Sequence, residues 1–262
     1  MGILNVTPDS FSDGGLFVDA DKALAQAKTM VAEGASIIDV GGESTRPGAE
    51  PVSAIDEIQR VVPVIEKIAA HLDTTISIDT SKAEVMQAAL DAGANMINDV
   101  RALSNEGCLS VARDRDVPIC LMHSKGMPRT MQKNPVYKDV VSDVFNYLSE
   151  RISVCVEAGI DRQRLVVDPG FGFGKTLDHN LALAKQLDRF KSLELPILVG
   201  VSRKSMFGAI LDAEVEDRLH GCLAMTALLI DKGATIIRTH DVAATVDALK
   251  TVQAINNNNS GM

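Results

Sequence analysis

The chain has no tryptophan, and aromatic residues make up only 3% of its 262 positions. Platforms for stacking bases or sugar rings are therefore scarce, and no block of consecutive basic residues compensates. Nucleic-acid binding is excluded as a main function. The net charge is −9, so an anionic ligand would need locally concentrated cations. No apolar run approaches the ~18 residues that span a bilayer. No basic–apolar–small leader opens the sequence, whose first residues already include Asp9 and Asp13. Cysteine is also sparse: Cys108, Cys120, Cys155 and Cys222 lie far apart, with no CxxC pair. That pattern predicts reduced, structural thiols in a cytoplasmic protein.

What is present is an ordinary globular composition and a repeated phrase. "EGASIIDV" at 33–40, "AGANMIND" at 92–99 and "KGATIIRT" at 232–239 share one form, with a looser copy, "AGIDRQRLVVD", at 158–168. Each places a glycine after a helix-like segment, then a short apolar run, then a polar residue. Gly34, Gly93, Gly159 and Gly233 sit where a helix ends in a left-handed residue. The preceding segments have helical period: Ile55, Ile58, Val62, Ile65 and Ile68 form one stripe, and Val141, Val144, Leu148, Ile152 and Val156 another. The short apolar runs suit buried parallel strands. They fall at Gly2–Val6, Ser36–Val40, Thr75–Asp79, Met96–Asn98, Ile119–Met122, Leu165–Asp168, Ile197–Val201 and Thr235–Thr239.

Eight strands alternating with about eight helices predict an α/β fold, a (βα)8 TIM barrel, for which ~250 residues is typical. A doubly wound open sheet is the rival, but its GxGxxG after the first strand is missing. No linker divides the chain, so residues 1–255 read as one domain. The polar tail 256–262 reads as disordered.

The predicted strands carry polar residues at their C-terminal ends: Asn5, Asp39, Asp79, Asn98, His123, Asp168, Ser202 and Arg238. In a barrel these ends meet on one face, where sites are built. Basic groups gather near strands seven and eight, as Arg203, Lys204, Arg238 and His240, with Arg46 able to join from the second loop. Such a group suits a phosphate. Asp79, Asn98 and Asp168 fall on the opposite strands. They could form a glycosidase carboxylate pair, or accept the parallel N–H donors of a 2-amino-4-oxo-pyrimidine edge. Asp39 reads as a structural acid. "PGFGFGKT" (169–176) is not a phosphate loop, because Pro169 stands where GxxxxGK[ST] needs glycine. The five histidines show no zinc spacing, and no GxSxG elbow is present.

"GILNVTPDSFSDGG", "IIDVGGESTRPG", "SIDTSK", "INDV", "LMH", "DPGFGFGK", "VGVSRKS" and "IIRTHD" follow one another across nearly the whole chain. Together they resemble the dihydropteroate synthases, a pterin-binding TIM-barrel family. The resemblance implies an enzyme of folate biosynthesis. It would join a (7,8-dihydropterin-6-yl)methyl diphosphate to 4-aminobenzoate and release diphosphate, with Mg2+. Carried over by motif, Asp79, Asn98, Asp168 and Lys204 would hold the pterin, with Phe173 beside it. Asn5, Arg238 and His240 would bind diphosphate, with Asn5 also at the metal. Phe11, Thr45, Arg46 and Pro47 would belong to two mobile loops completing the aminobenzoate pocket, near Ser205. Lys204, Arg238, His240 and Asp79 would carry the catalysis.

The resemblance further implies a homodimer, sulfonamide sensitivity, small-molecule substrates, and no nucleic-acid or membrane partner. The glycine-rich loop "NVTPDSFSDGG" is expected to close as a lid over a reactive cation. Family members generally carry a further segment ahead of "MGILN" that covers the bottom of the barrel. The sequence given starts on the first strand, so weaker closure at that end is the expectation. A pterin-binding methyltransferase working with a corrinoid partner shares the barrel and pocket. The RKS and RTH cations and the STRPG loop favour the diphosphate chemistry over it. A barrel that only binds or scaffolds is disfavoured by the full set of polar strand ends.

Overall fold

The computed structural model describes residues 1–6, 16–44, 50–126, 130–132 and 134–257. One device repeats at its helix-to-strand turns. Gly34, Gly93, Gly159 and Gly233 have φ of 104°, 113°, 94° and 109°. At each, the amide one residue further on reaches back into the helix, as in Ala35 N to Met30 O and Ala234 N to Leu229 O, both at 2.9 Å. This six-to-one bond satisfies an orphan carbonyl and sends the chain straight into the next strand.

The elements alternate. β1 (Gly2–Asn5), β2 (Ile37–Gly41), β3 (Thr75–Asp79), β4 (Met96–Asp99), β5 (Ile119–Met122), β6 (Leu165–Asp168), β7 (Leu198–Val199) and β8 (Ile236–Ile237) are the strands. Between and after them run α1 (Leu16–Ala32), α2 (Ala54–His71), α3 (Ala83–Asp91), α4 (Cys108–Arg113), α5 (Val140–Glu157), α6 (Leu177–Lys185), α7 (Ser205–Leu211), α8 (Leu219–Asp231) and α9 (Val242–Asn257). The described residues thus hold one helix more than expected, because α7 and α8 both lie between β7 and β8. The tail expected from residue 256 overlaps the last helix, which runs to Asn257; residues 258–262 lie outside the described ones.

All pairings are parallel. β1 to β6 form one sheet in sequence order and β7 pairs with β8. The bridges Val167–Ile197 and Gly2–Thr239 join the two sheets and bring β8 back to β1. Ile3 N to Thr239 O and Thr239 N to Met1 O, each 3.0 Å, close that last seam. The result is the predicted barrel, and the weaker closure expected at its first strand is not seen in these bonds.

Alternation along the strands divides the side chains into two sets. Leu4, Ile38, Val40, Ile76, Ile78, Ile97, Ile119, Leu121, Leu165, Val167 and Val199 pack outward against the helices in the main core. Met96, Cys120, Val166 and Leu198 fill the barrel itself, with Met1, Ile37 and Ile236 against them. One step towards the C-terminal end, polar residues join the inward set: Asp39, Asn98, Asp168 and Arg238, beside the apolar Ile3 and Met122.

Candidate active site

Gly41, Asp79 and Asn5 occupy neighbouring register positions at the C-terminal ends of β2, β3 and β1. A methyl at Gly41 would stand 3.8 Å from both Asn5 Oδ1 and Asp79 Oδ2, which places the two oxygens on either side of this position. Next to β1 in the closed barrel, Arg238 follows β8 and extends past β1 to the acids on β2 and β3. Its Nε donates to Asp39 Oδ2 at 2.6 Å and its Nη2 to Asp79 Oδ2 at 2.7 Å. Asn98 Nδ2 donates to the same Asp39 oxygen at 3.1 Å. One buried network therefore ties β2, β3, β4 and β8 together.

The charges in it are strongly perturbed. Burial pushes Asp79 up to about 7, against the pull of Arg238 and with the help of the Asp39, Glu57 and Asp99 charges. Burial alone would lower Arg238, but the Asp39 and Asp79 carboxylates outweigh it and hold the guanidinium more firmly protonated than usual. Asp168, buried at the end of β6, is likewise raised by burial and partly restored by Lys204. Its Oδ1 accepts the Gly170 amide at 2.7 Å.

The "DPGFGFGK" stretch forms the wall beside Asp168. Gly170 and Gly174 have φ of 70° and 64°. A Cβ there would stand 1.9 Å from His123 O and 2.2 Å from Lys125 O, so only glycine fits. The loop is held from within by Lys175, which is 3% exposed. Its Nζ donates to Gly170 O at 2.7 Å and Phe173 O at 3.2 Å, and meets His123 Nδ1 at 2.9 Å. Burial and the Lys175 charge drive His123 down to about 2, which keeps its ring neutral as the acceptor of that bond. Neither the Lys175 contacts nor their partner was foreseen from sequence. A lysine among glycines next to a predicted strand end was the available signal.

Lys204 completes the wall. Its Nζ donates to Phe171 O and lies 4.7 Å from the centre of the Phe173 ring. Burial lowers it to about 8, with Asp168 opposing the shift. Ser205 is the exposed first residue of α7.

Each of the cations expected near β7 and β8 has partners of its own. Arg203, at φ 57°, pairs with Asp241 at 2.5 Å, and so braces its loop. Arg238 turns inward and is held by two acids, Asp39 and Asp79. His240 Nδ1 and Ser202 Oγ are 3.0 Å apart. Asp39, read from the sequence as a structural acid, anchors Arg238 and Asn98. Phe11, Thr45, Arg46 and Pro47, and with them the expected lid and most of the aminobenzoate loop, lie outside the described residues.

The stem of the second loop is described. Glu43 accepts Val52 N at 3.2 Å and Lys82 Nζ at 2.5 Å. Lys82 also bonds the fully buried Glu57, and Arg60 Nη1 donates to Gly42 O at 2.9 Å. The loop is thus gripped on both sides of residues 45–49. No set of three or more His, Cys, Asp or Glu that could hold a metal occurs among the described residues. No described helix is long and apolar enough to cross a membrane.

A sequence family described as pterin binding enzyme matches residues 1–240. The dihydropteroate synthase of Haemophilus influenzae is 51% identical over 257 residues, covering 98% of this chain and 94% of its own length. Among solved structures, the Yersinia pestis dihydropteroate synthase in a sulfonamide drug complex superposes with a TM-score of 0.93 at 48% identity, covering 98% of this chain and 94% of that one. The Xanthomonas albilineans dihydropteroate synthase with 4-aminobenzoic acid gives 0.92 at 48% identity, covering 98% and 92%.

Proposed function

Since the chain belongs to the pterin-binding enzymes and, within them, to the dihydropteroate synthase family, we propose that it condenses (7,8-dihydropterin-6-yl)methyl diphosphate with 4-aminobenzoate to give 7,8-dihydropteroate and diphosphate. The observation that carries this reading is a set of acceptors gathered at one end of the barrel, the buried Asn98 and Asp168 and the part-buried Asp79. A 2-amino-4-oxo ring offers N–H donors to such acceptors, and each charge-assisted bond contributes roughly 1.5–3 kcal/mol. Lys204 and Phe173 then form one side of the pterin slot, a cation and a ring face suited to a flat polar heterocycle.

With the pterin held, its methylene C–O bond breaks and the diphosphate leaves with the electron pair. The developing cation delocalises into the ring, beside the Asp79 and Asp168 carboxylates. The unprotonated arylamine nitrogen attacks the methylene, forming the C–N bond, and then releases its extra proton to solvent. No base is required beforehand. Diphosphate would lie towards Asn5, Arg238 and His240. The Asn5 side-chain oxygen is a hard donor at the strand ends, and a Mg2+ ion typically takes one or two protein oxygens beside substrate phosphates and water. Such an ion would supply charge neutralisation of the leaving group. Phe11, Thr45, Arg46 and Pro47 are assigned to the aminobenzoate side, with Ser205 near them, and a sulfonamide would compete there.

We also assign the enzyme to the cytoplasm, as a homodimer. Leu228 on α8 and Ile210 and Leu211 on α7 are exposed at 60%, 45% and 47%, which supports a covered face. The decisive assay is diphosphate release that requires both the pterin substrate and 4-aminobenzoate and is competed by a sulfonamide. Release independent of the arylamine, or methyl transfer from a methylated folate instead, would refute the proposal.

A further inference from the structure

We propose that Asp39 decides which end of the Asn98 amide is presented to the ligand, and so sets the hydrogen-bonding pattern that the barrel accepts. The inference rests on the pterin reading of the site. Asp39 is fully buried on β2, with its Oδ2 shared between Arg238 Nε at 2.6 Å and Asn98 Nδ2 at 3.1 Å. Asp39 Oδ2 takes a guanidinium N–H in the ion pair with Arg238, so it faces Asn98 as an acceptor. Asn98 must therefore meet Asp39 through its NH2 group.

The amide's two ends are almost the same shape, so packing alone would not choose between them. The choice is electrical. With Nδ2 committed to Asp39, Oδ1 is left on the other side of the amide as an acceptor. Asp39 also grips the guanidinium whose second arm holds Asp79 at 2.7 Å. One carboxylate that need not touch the ligand thereby orients two of the three acceptors, which makes it a positioning residue. Its oxygen Oδ1 and the Ser77 hydroxyl at the neighbouring register position are buried with no hydrogen-bond partner. Polar atoms of that kind are kept where an arrangement serves something other than stability.

The ligand class that follows is a heterocycle whose edge carries N–H donors, as a dihydropterin does. Its fully oxidised counterpart replaces a ring N–H by a bare acceptor nitrogen, and the 2-oxo counterpart replaces the exocyclic amine by an oxygen. With Oδ1 presented, each substitution at the Asn98 position sets acceptor against acceptor. Asp39→Asn can donate to Asn98 and permit the reversed amide.

The test is calorimetric binding of 6-hydroxymethyl-7,8-dihydropterin and these two analogues to wild type and Asp39→Asn. Wild type is expected to prefer the dihydropterin, and the variant to lose about tenfold of that preference against at least one analogue, equivalent to about 1.4 kcal/mol. A merely structural role would weaken all three ligands together and leave the ratios unchanged, and that outcome overturns the inference alone. Wild type that binds no dihydropterin overturns the functional reading and the inference with it. If Asp39→Asn does not fold, the 15N-labelled wild type decides. The Asn98 amide proton facing Asp39, assigned by its loss in Asn98→Ser, should exchange slowly with and without dihydropterin, and fast exchange in the complex overturns the inference.

Discussion

At the scale of single residues, the site is a set of charges held away from their ordinary protonation. Asp79 faces Arg238, Asp39, Glu57 and Asp99 and sits at about 7, and Lys204 faces Asp168 and Arg238 and sits at about 8. Ionised Asp79 accepts pterin N–H donors through the stronger charge-assisted bonds, so that contribution is full above about 7 and weakens as pH falls through it. The Lys204 ammonium is present below about 8 and is lost as pH rises. Pterin affinity is therefore expected to be bell-shaped in pH, with its maximum between the two values. Lys204→Arg, which stays charged throughout, should remove the alkaline limb and leave the acidic one. Measuring dissociation constants from pH 5.5 to 9.5 on both proteins checks it, and an unchanged alkaline limb would count against Lys204.

The next scale is that of loops and the elements that carry them. The wall after β6 is tightly specified: the Gly170 and Gly174 positions admit no Cβ, and Lys175 fills the centre. Gly170→Ala is expected to cost about 3 kcal/mol, combining a left-handed backbone with a clash on His123 O. Chemical denaturation reads this, and a loss below about 1 kcal/mol would show that the loop relaxes cheaply. A different balance governs the 45–49 stem. Lys82→Met leaves the buried Glu57 without its cation and releases Glu43. Breaking one side of a buried pair costs about 3–5 kcal/mol. Kinetically, KM for 4-aminobenzoate should rise about tenfold while pterin affinity holds, because Asp79, Asn98 and Asp168 keep their partners. Equal losses for both substrates would place the clamp elsewhere.

Much of this was legible in the sequence. Polar strand ends named Asp79, Asn98 and Asp168, because strand period and barrel topology fix where such residues point; Lys204 came from the basic residues after the seventh strand and from the family resemblance. The Arg238 pairings were not legible, since they join residues 199 and 159 positions apart whose side chains compete for the same guanidinium. Basic residues close in sequence looked like one anion site. In the structure, Arg203 and Arg238 instead neutralise acids on opposite sides of their strand ends.

For the whole molecule, the repeated glycine-ended phrase fixes the order of strands, because each six-to-one helix terminus delivers the next strand in the same sense. β7 and β8 came out shorter than expected, at two residues each, with their flanks joined by single bonds such as Arg238 N to Val199 O at 2.9 Å. That region carries α7 and α8, where large apolar side chains stay exposed. The proposed homodimer makes this face testable. In sedimentation equilibrium the wild type should have twice the monomer mass, and Leu228→Glu should shift it to monomer by placing a charge in an apolar contact. Because Leu228 lies outside the acceptor network, the monomer should retain its pterin affinity. A Leu228→Glu protein that stays dimeric would move the interface off α8, and a monomeric wild type would remove it altogether.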